Sequence, residues 1–96
     1  MKEKGAILAA LKAVKAELTE RYRVRSLALF GSYARNEQTP ASDIDILVDV
    51  DPAIGLAFVD LADYLEQILQ SPVDLVSTRA VKPAYRKKIE ADLVYV

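Results

Sequence analysis

The sequence predicts an α/β domain, a small mixed β-sheet carrying helices. Long segments with apolar residues at helical spacing alternate with short apolar runs of strand length. Gly, Pro and Ser stand at the junctions between them. The resulting order is helix, strand, strand, helix, strand, helix, strand, which gives one sheet and its helices. The chain has 96 residues, 52% of them hydrophobic, enough for a single core, so one domain spanning 1–96 is expected.

Each element has its own signal. Ile7, Leu8, Leu11, Val14, Leu18 and Tyr22 recur at helical spacing with charged residues between them, predicting a first helix over 3–21. The run "VRSLALF" (24–30), closed by Gly31, reads as a buried strand. "SYARNE" suits one or two helical turns with Ser32 at the N-cap, and "EQTPAS" is a loop. In "DIDILVDV" (43–50), Ile44, Ile46, Val48 and Val50 fall on one face of a second strand, and Asp43, Asp45, Leu47 and Asp49 on the other. A long helix is expected over 56–69, with Val59, Ala62, Leu65 and Leu69 as its apolar stripe, flanked by Leu61 and Ile68. "SPVDLVS" (71–77) is a third strand, 82–91 a helix with Pro83 in its first turn, and "DLVYV" a fourth strand.

Composition narrows the chemistry. With no histidine and no cysteine, triads built on either residue and nearly all zinc sites are excluded, as is a disulfide framework. Hydroxyls, carboxylates, amines, guanidiniums and backbone groups remain. A net charge of −1 is not the footprint of a domain that coats nucleic acid, so no direct nucleic-acid binding is expected. No apolar run approaches the ~20 residues of a membrane span. Lys12, Lys15 and Glu17 interrupt the only stretch resembling a signal peptide, so the expected location is cytoplasmic.

The candidate site lies between Phe30 and Val50. Asp43 and Asp45 are i and i+2 on a strand, so their side chains leave one face, with Cα atoms about 6.5–7 Å apart. Carboxylates that close repel and raise each other's pKa. A divalent cation removes the conflict, and without nitrogen or sulfur ligands the suited ions are magnesium first and manganese second. Asp74 is a third acid, alone in "PVDLV"; if its strand neighbours the second, it joins the pair. Three carboxylates around such ions suit phosphoryl or nucleotidyl transfer. Gly31 and Ser32 supply close backbone approach and an anion-favouring helix start, fit for a nucleoside triphosphate.

Each feature has a plainer explanation. Gly-Ser after a strand is more often a turn with a cap, and D-x-D a solvated edge. Arg35 suits a phosphate contact or a structural ion pair equally. The basic cluster Arg79, Lys82, Arg86, Lys87 and Lys88 reads first as a solvated helix face, and Asp49, Asp51, Asp60 and Asp63 as surface. The combination is more specific than any of its parts.

"GSYAR" followed by "SDIDILV" resembles the signature of the DNA polymerase β-like nucleotidyltransferases, in which Gly-Ser is followed by a D-x-D pair. The short length and the later "VDLV" resemble the minimal nucleotidyltransferase (MNT) group within them. Asn36 stands where many members carry Gly. The resemblance covers nearly the whole chain. It implies that fold, a metal-binding catalytic triad at Asp43, Asp45 and Asp74, phosphate contacts at Gly31 and Ser32, magnesium as the ion and ATP as the donor. It also implies a HEPN-type toxin as partner in a hetero-oligomer, with this chain as the antitoxin that attaches AMP to a toxin tyrosine. The alternative is a catalytically silent antitoxin that neutralises its partner by association. A small-molecule nucleotidyltransferase is a third and weaker reading, because no acceptor domain is present.

Overall fold

The computed structural model describes residues 3–96. Its elements follow the expected order: α1 (Lys4–Tyr22), β1 (Val24–Phe30), α2 (Gly31–Ala34), β2 (Ile44–Val50), α3 (Ala57–Leu69), β3 (Val73–Ser77), α4 (Pro83–Glu90) and β4 (Val94–Tyr95). Single 3-10 turns at Pro52–Ile54 and Thr78–Ala80 lead out of β2 and β3.

The four strands form one mixed sheet in the order β3-β2-β1-β4. β1 pairs antiparallel with both β2 and β4, while β2 and β3 run parallel. A parallel pair needs a crossover, which α3 provides. α1 and α3 pack on each other, and their buried faces (Ile7, Leu11, Leu18 and Tyr22; Leu61, Leu65 and Leu69) close over Leu27, Leu29, Ile44, Ile46 and Val48. This is the main core. Strand alternation sends Leu47 to the opposite face, where it meets Phe30 and Ile89 of α4 in a second, smaller cluster. Leu47 therefore stands among the aspartates in sequence because it supports the second layer.

Two expectations are corrected. Val59 was assigned to the inward stripe of its helix, but it is 57% exposed. The stripe runs instead through Leu61, Leu65 and Leu69, with Phe58, Tyr64 and Ile68 packed against the core. The bulkier Phe58 takes the inward position and turns its neighbour outward. Asp49 was read as surface, yet it is half-buried beside β3 and accepts a long hydrogen bond of 3.5 Å from Thr78 Oγ1. Asp51 is also half-buried and accepts from the Ala53 N–H at 2.9 Å, capping the 3-10 turn. Asp60 and Asp63 are exposed as expected. No described helix is long and apolar enough to cross a membrane.

Candidate active site

The face that carries Leu47 also carries the acids. Asp45 sits two residues before Leu47 and lies opposite Phe30 in the β1–β2 register. On its other side Asp45 is in register with Asp74 of the parallel β3. The conditional expectation that the third strand neighbours the second is met. Asp43 lies just before β2, exposed, two residues from Asp45.

The three acids are not equivalent. Asp45 is half-buried, whereas Asp43 and Asp74 are exposed. Burial, then the charges of Asp74 and Asp43, push the Asp45 carboxyl up from 3.8 to about 6, with Arg35 pulling weakly the other way. So the two neighbours act on Asp45 electrostatically. Yet no three acidic side chains among the described residues converge closely enough to hold a metal ion between them as they stand. The donor set itself is all oxygen and all carboxylate, which fits magnesium.

Gly31 takes φ +75°, a left-handed conformation at the turn out of β1. A side chain there would collide with Asp45. An added Cβ would overlap the Oδ2 oxygen and stand 3.0 Å from Cγ and 3.2 Å from Cβ of that residue. Glycine at this point therefore has a cause the sequence did not suggest, since it makes room for the half-buried carboxylate. The same turn starts α2 two residues earlier than expected. Phe30, not Ser32, occupies the N-cap position, and no side chain caps the helix. Ser32 lies within the first turn, and Asn36 closes the segment at φ +58°. That is the region glycine enters freely and asparagine better than most residues, so Asn36 can take a backbone conformation that also suits glycine.

An open cleft of about 340 Å³ lies over this corner, lined by Gly31, Ser32, Arg35 and Asp45 on one side. Phe30 and Ile89 form its apolar floor, and Tyr85, Lys88 and Asp92 its far wall. Asp43 and Asp74 are outside this lining, so the cleft gathers four of the six expected site residues. Of the basic cluster, only Lys88 lines it; Arg86 pairs with Glu90 at 3.4 Å along its own helix. Arg35 is engaged twice, by Glu37 at 2.7 Å and Asp92 at 2.6 Å. The ion-pair alternative for Arg35 is the one observed. Its link to Asp92 ties α2 to the turn after α4. Ile89 is the one buried side chain of α4, so this tie adds to a modest apolar anchor worth roughly 2 kcal/mol.

Sequence reasoning missed Tyr85 and Asp92 and gave Lys88 no separate role. Their only signal was the spacing of Tyr85, Lys88 and Ile89 at i, i+3 and i+4, one face of a helix.

Comparison with known proteins places the chain in a family. The nucleotidyltransferase domain family matches residues 11–96. Protein adenylyltransferase MntA of Thermococcus cleftensis is 44% identical over 88 residues, covering 90% of this chain and 88% of MntA. A solved structure described as a candidate minimal nucleotidyltransferase superposes with a TM-score of 0.83 at 28% identity, covering 97% of this chain and 95% of its own. A toxin–antitoxin crystal structure with AMP-PNP gives a TM-score of 0.66 at 28% identity, covering 88% of this chain and 70% of the matched one. With the family matched across nearly its whole length, this chain belongs to the nucleotidyltransferase domain family, as one of its minimal members.

Proposed function

We propose that this protein is a protein adenylyltransferase of the MntA type, which moves AMP from ATP to a hydroxyl, tyrosine foremost, of a HEPN-type toxin and so acts as its antitoxin. One observation carries the reading. The half-buried Asp45 is pressed by two further carboxylates, and Gly31 is kept free of a side chain to admit it. Mutual repulsion of that kind is costly in a purely structural site and expected in one that awaits cations. The MntA relative bears the activity in its name, and the AMP-PNP complex is a toxin–antitoxin pair.

In this reading Asp43, Asp45 and Asp74 would hold magnesium, with manganese as a substitute. When bound, magnesium supplies charge neutralisation along the triphosphate and a more acidic acceptor hydroxyl. Asp43, just before β2, and Asp74, near the start of β3, are both exposed and would join Asp45 in holding the ion. Gly31 and Ser32 would contact the phosphates. The acceptor oxygen forms a bond to the α-phosphorus and the bond to the β-phosphate bridging oxygen breaks. The hydroxyl proton passes to a carboxylate of the trio, and pyrophosphate leaves. The partner surface positions the hydroxyl in line, so that binding energy from that interface orients it for attack. The chain works as a single catalytic domain in the cytoplasm, where its donor is found.

The label position in ATP tests this. With protein, HEPN partner and magnesium, label at the α-phosphate is expected on the partner, and label at the γ-phosphate in released pyrophosphate. Omitting the divalent ion should suppress both. Partner labelled from the γ-position would make the protein a kinase and end the adenylyltransferase reading. The second reading, a silent antitoxin, predicts a tight complex and no label on either chain.

A further inference from the structure

The α4 side chains that line the cleft together with Asp45 have no part in the chemistry above. We infer that α4 is the nucleoside-binding wall, with the Tyr85 ring stacking on the base and the Lys88 ammonium neutralising the phosphates. This rests on the proposed use of ATP and deepens it.

Three observations carry it. First, Tyr85, Lys88 and Ile89, at i, i+3 and i+4 on α4, line the same cleft as Gly31, Ser32 and Asp45. Its open volume of about 340 Å³ is in the range of small-molecule sites, typically about 300–1,000 Å³. Second, Tyr85 is 46% exposed, and among the described residues it makes no ring contact, hydrogen bond or ion pair. Tyr22 and Tyr64, in contrast, stack on each other and under Arg21. An idle aromatic face on the rim of a polar cleft is the surface a nucleobase uses. Third, the cleft holds two cations, and they are in opposite states. Arg35 is bound by Glu37 and Asp92 and has little charge left to offer. Lys88 has no ion pair among the described residues. The task of meeting a triphosphate therefore falls to Lys88, and Arg35 is a positioning residue that holds α4 at the right distance through Asp92.

Chemistry separates the two roles. Inorganic triphosphate has the charge of ATP and no base. Equilibrium binding of magnesium-ATP and magnesium-triphosphate should be measured by calorimetry for wild type, Tyr85→Ala, Tyr85→Phe and Lys88→Gln. Tyr85→Ala is expected to weaken ATP binding roughly tenfold and leave triphosphate binding unchanged, because stacking is lost. Tyr85→Phe keeps the ring and should stay within about twofold of wild type. Lys88→Gln should weaken both ligands by roughly five- to tenfold, with a reduced salt dependence. If wild type binds ATP and the Tyr85 and Lys88 variants bind it equally well, the wall is not the nucleoside site, although the adenylyltransferase reading survives. An equal loss of both ligands in Tyr85→Ala would make Tyr85 a structural residue and overturn its assignment. If wild type binds no magnesium-ATP, the donor reading itself falls, and the wall assignment with it.

Discussion

Asp45→Asn is expected to abolish AMP transfer while leaving the metal-free protein as stable as wild type or more so. The two effects have one cause. Burial and the charges of Asp74 and Asp43 hold the Asp45 carboxyl at about 6, against 3.8 for the free group. Below about pH 3 the carboxyl is protonated in both folded and unfolded chains, and no penalty applies. As pH rises the unfolded chain ionises first, while the fold still keeps its proton, so stability falls. Above about 6 the folded group is ionised too and the full penalty is present. That gap corresponds to at most ~3 kcal/mol, and partial exposure to solvent reduces it to about 1–2 kcal/mol. Asparagine keeps the shape and removes the charge. Denaturant melts of wild type and variant should coincide near about pH 3 and separate in favour of the variant by pH 7. Transfer should fall by ~10²–10³-fold or more, because the central anionic ligand is gone. A structural aspartate would give the opposite sign, a loss of ~1–3 kcal/mol at pH 7 through a broken charged hydrogen bond.

Gly31→Ala should be the most damaging single methyl group in the molecule. The backbone at φ +75° costs alanine ~1–2 kcal/mol. The added Cβ would also overlap the Asp45 carboxylate, and overpacking of that kind costs a further ~1–3 kcal/mol. For a domain of this size a sum of ~2–5 kcal/mol lowers the melting temperature by about 10 °C or more. The overlap can be isolated. In an Asp45→Ala background the overlap with the carboxylate is gone, leaving the backbone part and a tight 3.2 Å contact with the Cβ of residue 45, so the two substitutions should be non-additive by ~1–3 kcal/mol. Additive costs in thermal or denaturant melts would mean that the glycine serves the backbone alone.

The parts of this fold that a period can describe were legible before any coordinates. The alternation in "DIDILVDV" put Asp45 and the isoleucines on opposite faces, and "PVDLV" left Asp74 on the face of Val76. Neighbourhood of β2 and β3 was only a condition, because strand order depends on a crossover that local sequence does not encode. The stripe of α3 was misjudged at Val59 since apolar residues border both of its sides, and side-chain volume at Phe58 settles which turns inward. The far wall of the cleft was illegible for a related reason. Nothing local distinguishes Lys88 from Lys82 or Lys87; its difference comes from Ile89 anchoring α4 against Phe30 and Leu47. Gly31 was singled out correctly but for a ligand's approach, and the structure adds a neighbouring carboxylate that needs the same space.

The central claim is that this chain transfers AMP to a partner protein through its acidic cluster. Intact mass spectrometry of both chains tests it most directly, after incubation with the HEPN partner, ATP and magnesium. The account predicts a mass gain of one or more AMP units on the partner and none on this chain. The gain should disappear with Asp43→Asn, and neutralisation of the toxin should disappear with it. A tight complex without any mass change, and neutralisation preserved in Asp43→Asn, would contradict the account and make the protein an antitoxin that acts by binding alone.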